Sequence, residues 1–264
     1  MLTIDHLLKK AVRAAARRAG YELTPVGQPG PAFPSDYDAP TIATITAATP
    51  YTLTGHERLA ALVESVRYLV RTDLPGDVVE CGVWRGGSIL AVLRTLLELG
   101  VTDRDVWLYD TFTHMPRGGE RDIDLYGVTA SEYHGRLDAG EKLDPAYAYL
   151  PLEEVTRLLH ATGYPPERLH FVQGLVEETI PTHAPDRIAL LRLDTDYYAS
   201  TLHELEHLYP RISERGVLII DDYGHWRGSQ EAVDEYVAAH QLPLLLQRID
   251  YSGRLAVIPP RGPR

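Results

Sequence analysis

Two pairs of aspartates each follow a predicted buried strand in the second half of the chain. Asp194 and Asp196 lie in the run L-D-T-D-Y, and Asp221 and Asp222 lie in the run I-I-D-D-Y. Neighbouring parallel strands lie about 5 Å apart, so the four carboxylates would converge and their repulsion would require a cation. Carboxylate oxygens suit Mg²⁺, Mn²⁺ or Ca²⁺ rather than zinc. Either pair alone could be a solvated strand end, but the two together predict a divalent metal site.

A glycine-rich turn at residues 77–88 is the second stretch that could do chemistry. It reads D-V-V-E-C-G-V-W-R-G-G-S, which is typical of a short strand, a tight turn and a helix start. Glycine lets the backbone approach a ligand closely, and a helix start offers free N–H groups. The dinucleotide spacing G-x-G-x-x-G is absent, and Glu80, two residues before Gly82, would repel a pyrophosphate. The turn favours a cationic cofactor such as S-adenosylmethionine, although a βα turn without a ligand would look similar.

Asp110 ends the next predicted strand, which reads V-W-L-Y-D. In nucleoside-binding sheets, an acidic residue at this point accepts hydrogen bonds from ribose hydroxyls. An aspartate that only terminates the strand is the alternative. The position after the second strand favours a role in cofactor binding.

The elements that would hold these residues alternate between strand and helix. Predicted strands cover 78–83, 106–110, 169–172, 188–193 and 217–220, and predicted helices cover 88–99, 151–161, 201–212 and 230–240. Residues 244–249 and 254–258 are predicted to form two closing strands joined by a hairpin. This order predicts an α/β fold, with a mostly parallel, Rossmann-like sheet, helices on both faces and a closing antiparallel hairpin. Ligands of such sheets bind at the carboxyl ends of the strands.

Two segments depart from this alternation. Residues 1–50 combine an amphipathic, basic helix at 2–19 with a Pro/Gly-rich arm at 26–40, and we expect them to pack on the same domain or on a second subunit. Residues 51–264 are then the main domain, whose first helix has Thr54 and Glu57 as a candidate capping box. Residues 113–150 lack a steady period, and an insertion of that length predicts a lid or binding loop.

The amino-acid composition limits the kinds of molecule that the protein is expected to bind. Lys and Arg number 26 against 37 Asp and Glu, and the net charge of −11 argues against nucleic acid or an anionic membrane as the main partner. Cys81 is the only cysteine, so the chain forms no internal disulfide and no thiolate metal cluster. No run is long and apolar enough to span a bilayer, and the N-terminus has no signal-peptide pattern. We therefore expect a cytoplasmic protein.

The same motifs resemble a known enzyme family. The runs E-C-G-V-W-R-G-G at 80–87, D-T-F at 110–112, L-D-T-D at 193–196 and I-D-D-Y at 220–223 are similar to macrocin O-methyltransferase (TylF-type) enzymes, over about residues 50–258. These class I methyltransferases use S-adenosylmethionine and a divalent metal to methylate sugars of natural products such as antibiotics. The resemblance implies that Asp194, Asp221 and Asp222 bind Mg²⁺ and that Asp196 is the general base. It also implies that a segment at 52–59 closes over the cofactor.

A set of cofactor contacts follows from the same resemblance. The residues expected to contact S-adenosylmethionine are Thr52, Glu80, Gly82, Val83, Trp84, Arg85, Ser88, Asp110, Thr111, Phe112, Gly174 and Asp194. The implied reaction is methylation of a weakly acidic sugar hydroxyl, in which a metal lowers the pKa of the hydroxyl and a carboxylate takes its proton.

Other function classes remain open at the level of sequence. A metal-dependent catechol O-methyltransferase would use the same chelating diol chemistry. The L-D-T-D run also resembles the D-x-D motif of metal-dependent glycosyltransferases, but those enzymes lack the second acidic pair. A cofactor-binding scaffold without turnover would not need four intact carboxylates. His225, Tyr197, Tyr198 and Tyr223 could contact the acceptor or only pack, and we expect a homo-oligomer.

Overall fold

The computed structural model of the chain describes residues 33–139 and 148–260, together with Val12. The chain separates into two compact units, Met1–Asp38 and Ala39–Arg264. The described end of the first unit forms a turn in which the amide of Tyr37 donates to the carbonyl of Pro34 (3.0 Å). The predicted helix at 2–19, apart from Val12, and residues 26–32 of the predicted arm lie outside the described residues.

The second unit is built on a seven-stranded sheet. Its strands are β1 (Asp77–Cys81), β2 (Val106–Asp110), β3 (Leu169–Gln173), β4 (Ile188–Leu193), β5 (Ile212–Ile220), β6 (Gln247–Arg248) and β7 (Arg254–Val257). Their order across the sheet is β3-β2-β1-β4-β5-β7-β6. The first five strands pair in parallel, and β7 runs antiparallel to both β5 and β6. The predicted fold class is confirmed, including the closing hairpin, although β6 is only two residues long.

Helices cover both faces of this sheet. They are α1 (Ala39–Ala48), α2 (His56–Arg71), α3 (Gly87–Glu98), α4 (Ala130–Asp138), α5 (Leu152–His160), α6 (Val176–Thr179), α7 (Tyr198–Leu208) and α8 (Arg227–Ala239). Successive side chains of a strand point to opposite faces. Val78 of β1 therefore joins one buried cluster with Leu93 of α3, whereas Val79 joins a second cluster with Leu205 of α7.

The strand order places a crevice between the two halves of the sheet. The chain runs outward from β1 through β2 to β3 and then returns to β4 on the other side of β1. Ligands of open α/β sheets bind at this switch point, at the carboxyl ends of the strands. The ends of β1 and β4 are held together there, because the amide of Asp194 donates to the carbonyl of Cys81 (2.8 Å). The end of β5, with the second acidic pair, lies beside β4.

The start of the main domain differs from the prediction. Helix α2 begins behind Gly55, and among the described residues no side chain forms a capping bond there, so the predicted Thr54 capping box is wrong. Helix α1 occupies a stretch for which the sequence patterns predicted no element.

Two other stretches also differ from their predictions. The helix predicted at 201–212 begins earlier, at Tyr198, and ends at Leu208 because Pro210 follows. Within the predicted lid, residues 130–138 form α4, whose N-cap Thr129 and third residue Glu132 make a capping box. In the described part of the chain, no helix is long and apolar enough to cross a membrane.

Candidate active site

The glycine turn after β1 is shaped by close backbone contacts. Gly82 has a φ of +85°, and its amide donates to the carbonyl of Tyr109 (2.8 Å). A Cβ at this position would overlap the backbone carbonyl of Asp194. Gly86, with a φ of +87°, is the N-cap of α3. The turn thus joins β1, β2 and β4 at one point that tolerates only glycine.

Asp110 holds this turn from the neighbouring strand. Its Oδ2 accepts hydrogen bonds from the amides of Val83 (2.7 Å) and Trp84 (2.7 Å), and its Oδ1 accepts one from the amide of Phe112 (2.6 Å). An ionised carboxylate offers about four acceptor sites. The hydroxyl of Thr111 lies 3.5 Å from Oδ1 but donates more closely to the carbonyl of His114 (2.6 Å), so one acceptor site remains for a ligand hydroxyl. The position fits the predicted contact with a ribose, and the backbone bonds show a second role that the sequence did not reveal.

A cavity of about 710 Å³ opens at the carboxyl ends of the strands. Most of the predicted site residues line this cavity. They are Thr52, Gly82, Val83, Trp84, Ser88, Asp110, Thr111, Gly174, Asp194, Asp196, Asp221 and Asp222. Pockets that hold small-molecule ligands span about 300–1,000 Å³. The glycine turn and the acidic pairs therefore face one shared cavity rather than two separate sites.

Arg192 lies directly behind the acidic residues, and sequence reasoning missed it. Its side chain is 2% exposed. One guanidinium nitrogen donates to Glu80 and to Asp194 (2.7 Å), and the other donates to Asp221 (2.5 Å) and to Thr54 Oγ1 (2.9 Å). An arginine is almost never fully buried without partners, so its place inside an apolar strand was a signal that could have been read.

A second arginine approaches the same carboxylates from α2. Arg58 is buried, and it donates to Asp221 and, through Nε, to Asp250 (2.9 Å). Both oxygens of Asp221 therefore accept hydrogen bonds from guanidinium groups. Because Asp250 precedes β7, Arg58 also ties α2 to the closing hairpin.

The charge balance of this acidic group corrects the argument made from sequence. The repulsion between carboxylates is partly offset by arginine, so a metal is not the only source of positive charge. The group as a whole contains Glu80, Asp194, Asp196, Asp221, Asp222 and Asp250 against Arg58 and Arg192. Six carboxylates facing two guanidiniums leave four formal negative charges if all are ionised.

Burial, and after it the charge of neighbouring carboxylates, raises the pKa of two of these carboxyls. Burial, together with the nearby charge of Asp194, raises the pKa of Asp196 to about 8. Burial and the charge of Asp196 likewise raise the pKa of Asp222 far above its usual value. One oxygen each from Asp194, Asp221 and Asp222 lie within 4.8 Å of one another. Such a group either holds protons or is neutralised by a cation.

Asp196 lies in an unusual turn at the end of β4. Its φ is +67°, and the amide of Tyr197 donates to the carbonyl of Thr195 (2.7 Å), which describes a γ-turn centred on Asp196. Its own amide donates to Oδ2 of Asp222 (3.3 Å). The turn directs Asp196 to the cavity beside the possible metal ligands.

Comparison with known proteins assigns the chain to a family. A family model described as macrocin-O-methyltransferase (TylF) matches residues 35–255. The chain belongs to the TylF family. A demethyldecarbamoylnovobiocin O-methyltransferase of Streptomyces niveus is 35% identical over 207 residues, covering 78% of this chain and 75% of that protein. A mycinamicin III 3''-O-methyltransferase of Micromonospora griseorubida is 33% identical over 220 residues, covering 83% and 80%.

The solved structures agree with this assignment. The O-methyltransferase NovP superposes with a TM-score of 0.69 at 32% identity, covering 80% of this chain and 83% of that one. The calicheamicin methyltransferase CalS11, at 21% identity and a TM-score of 0.54 over 89% of this chain and 99% of that one, shares the fold. This TylF-family protein is an S-adenosylmethionine-dependent O-methyltransferase.

Three predicted cofactor contacts of this TylF-family enzyme lie off the cavity wall that the described residues form. Glu80 is 2% exposed and paired with Arg192, and burial raises its pKa to about 8 despite that partner. Phe112 is part of the buried core, whereas Arg85 donates to the carbonyl of Ala148 (2.7 Å) and lies 4.5 Å from the ring of Trp84. A direct contact of these three residues with the cofactor remains a prediction.

Several aromatic residues also line the cavity. His225 lines it, with its ring 5.7 Å from that of Trp226 and 5.9 Å from that of Tyr251, and burial lowers its pKa. Of the three tyrosines weighed from sequence, Tyr197 lines the described cavity. Tyr198 and Tyr223 instead donate through their hydroxyls to carboxylates of α8.

Proposed function

We propose that this enzyme transfers a methyl group from S-adenosylmethionine to a sugar hydroxyl of a glycosylated natural product, with Mg²⁺ as a second cofactor. The observation that carries the proposal is the shared cavity, where the glycine turn and Asp110 face the acidic group. The relatives named for novobiocin and mycinamicin methylation support an acceptor of this class.

The cofactor half of the site would hold S-adenosylmethionine through shape and hydrogen bonds. Gly82 lets the turn pack on the Asp194 carbonyl beside the cavity, and Asp110 offers an acceptor for a ribose hydroxyl. Ser88 lies in the first turn of α3, whose N–H groups suit the carboxylate end of the cofactor. Negative charge on Asp194 would favour the cationic end.

The acidic group fits a hard divalent cation. Asp194, Asp221 and Asp222 would hold it, since each offers an oxygen and these oxygens lie within 4.8 Å of one another. With all six carboxyls ionised, one divalent ion would halve the four excess negative charges. When bound, Mg²⁺ supplies Lewis acidity that lowers the pKa of an acceptor hydroxyl.

The remaining chemistry falls to the residues of the chain. Asp196, beside these ligands, accepts the proton of the sugar hydroxyl as general base. The acceptor oxygen forms a bond to the methyl carbon as the carbon–sulfur bond of the sulfonium breaks. Positioning of the two reactants in line is the main contribution of the cavity.

The described part of the insertion supports a role in enclosing the acceptor. The cavity is lined by Met115, Asp122 and Tyr126 from the described part of the insertion before residue 140, and by Tyr149 from the part after residue 147. Three predictions remain: closure of residues 113–150 as a lid, a pocket wall or a subunit interface formed by residues 1–50, and a homo-oligomer.

The test is turnover after treatment with EDTA, with and without added Mg²⁺, on a panel of glycosides and a simple catechol. Asp196→Asn should lower turnover about 10²–10⁴-fold because the general base is lost, while the affinities for Mg²⁺ and S-adenosylhomocysteine stay near normal. Asp221→Asn should weaken Mg²⁺ binding, so excess Mg²⁺ should partly restore activity.

Asp105→Asn is the matched control, because Asp105 pairs with Arg168 at the opposite end of β2 from the site. Full activity in EDTA would contradict the role of the metal, and near-normal turnover in Asp196→Asn would contradict the base. Methylation of the catechol alone would favour the catechol class of acceptor.

A further inference from the structure

We propose that Asp122, in the insertion after β2, is a positioning residue that holds the turn carrying Asp196. The inference rests on the proposed function, in which Asp196 accepts the proton of the acceptor. In this view the segment around Asp122 does more than enclose the acceptor, because it also fixes the position of a catalytic side chain.

The turn at Asp196 requires support from its surroundings. A γ-turn whose central residue has positive φ is rare and strained, and aspartate tolerates it only when neighbouring contacts fix it. Part of the support comes from α7, which follows at once. The hydroxyl of Ser200 donates to the carbonyl of Tyr197 (3.1 Å), and that of Thr195 donates to the buried Glu204 (3.0 Å).

Asp122 adds a contact from a distant part of the chain. Its side chain is buried, Oδ1 accepts from the amide of Tyr198 (2.8 Å), and Oδ2 accepts from the amide of Gly119 (2.6 Å). Tyr198 is the first residue of α7, and among the described residues no side chain of α7 itself caps this end. Asp122 thus supplies, from 76 residues away, the cap that the local sequence lacks.

The contact between Asp122 and Tyr198 fits against α8 because position 228 of that helix is a glycine. Gly228 packs so closely that a Cβ there would overlap Oδ1 of Asp122 and lie 2.9 Å from the amide nitrogen of Tyr198. Backbone pairing reinforces the junction, since the amide of Arg227 donates to the carbonyl of Ile123 (2.9 Å). The insertion is therefore fixed to the two loops that carry the acidic pairs.

Two substitutions disturb the contact from opposite sides. Asp122→Ala removes the acceptor, and Gly228→Ala displaces it while improving the helix propensity of α8. Each should lower kcat about 10²-fold, as expected when a catalytic group is misplaced by about 1 Å. The KM for S-adenosylmethionine and the affinity for Mg²⁺ should stay within about twofold of wild type on the same argument. Asp122→Asn keeps Oδ1 and should retain most of kcat.

Glu132→Ala is the control within the same insertion, because the Glu132 carboxylate accepts its hydrogen bonds from Thr129 in the capping box of α4. In the Asp122→Ala background, Gly228→Ala should cost less than it does alone, because the overlap with Oδ1 is gone and only the 2.9 Å approach to the Tyr198 amide nitrogen remains. In the Asp196→Asn background, Asp122→Ala should lower kcat no further. Loss of kcat in Glu132→Ala equal to that in Asp122→Ala, or kcat within twofold of wild type in both Asp122→Ala and Gly228→Ala, would overturn the proposal.

Hydrogen exchange separates this inference from the proposed function. The amide of Tyr198 should exchange faster in Asp122→Ala and Gly228→Ala than in wild type or Glu132→Ala, whatever Asp196 does in catalysis. Unchanged exchange at Tyr198 would overturn the positioning role. Faster exchange with undiminished turnover in Asp196→Asn would instead overturn the general-base assignment and leave the contact itself established.

Discussion

The two halves of the cavity are built from different materials. On the side of β1 and β2, backbone shape dominates, with Gly82 packed on a carbonyl and Asp110 accepting backbone amides. On the side of β4 and β5, charged side chains dominate, with Arg192 and Arg58 buried against carboxylates. The first half requires that Gly82 carry no Cβ, and the second requires that the buried carboxylates be paired with positive charge.

This difference determines how each half can fail. A site built on close backbone packing fails when an atom is added. A charge-built site fails when one partner is removed, because an unpaired buried charge is costly, and it responds to protons and cations. The two halves therefore differ in the kind of change that disturbs them.

The largest effect on stability is expected from Arg192→Met. The change leaves Glu80, Asp194 and Asp221 without their shared partner, and removal of one side of a buried ion pair costs about 3–5 kcal/mol. Urea unfolding measures this difference. Arg117→Ala is the control, since its pair with Asp138 is exposed and should contribute at most about 1 kcal/mol. If the two substitutions lowered the free energy of unfolding equally, the buried ion pairs would have no special role in stability.

A smaller effect is expected from Gly82→Ala on the other side. An alanine at positive φ costs roughly 1–2 kcal/mol, and displacement of the Asp194 carbonyl adds about 1–3 kcal/mol. Gly163→Ala is a matched control, because Gly163 has a φ of +82° and a Cβ added there would meet nothing within 4 Å. The excess cost of Gly82→Ala over Gly163→Ala, together with weaker binding of S-adenosylhomocysteine by calorimetry, measures the close approach. Equal costs would show that backbone strain alone matters at Gly82.

The smallest effect concerns pH and should appear only in the acidic half. The pKa of Asp196 in the folded, metal-free protein is about 8, above its value of about 3.9 in the unfolded chain, so the folded state binds this proton more tightly. The stabilisation is complete below about pH 4 and is lost as pH rises through about 8. Mg²⁺ competes with protons, so it should raise Tm by about 2–4 °C at pH 8 and very little at pH 5.5.

Thermal unfolding with and without Mg²⁺ tests this expectation, with NaCl of the same ionic strength as the control for screening. A shift in Tm that is equal at both pH values would contradict the coupling between metal and carboxyl groups. In Gly163→Ala, where the added Cβ would meet nothing within 4 Å, the dependence on Mg²⁺ should persist.

The alternation of strands and helices, the glycine turn and the carboxylates at the strand ends could all be predicted from the sequence. These features rest on local patterns, namely the period of apolar residues and the rule that parallel strands end at one edge. Asp110, Asp194, Asp196, Asp221 and Asp222 accordingly share one cavity, as predicted. Their individual roles remain predictions.

Only the tertiary structure showed what holds these residues in place. Arg192 meets Glu80 across 112 residues, Arg58 meets Asp221 across 163, and Asp122 meets the amide of Tyr198 across 76. Threonine is a common N-cap residue, but Thr54 accepts a hydrogen bond from Arg192 instead. Such contacts leave no periodic trace in a sequence, because they depend on which elements the folded sheet brings side by side. The sequence by itself determined which groups could do chemistry, and packing decided which neighbours fix their charge and geometry.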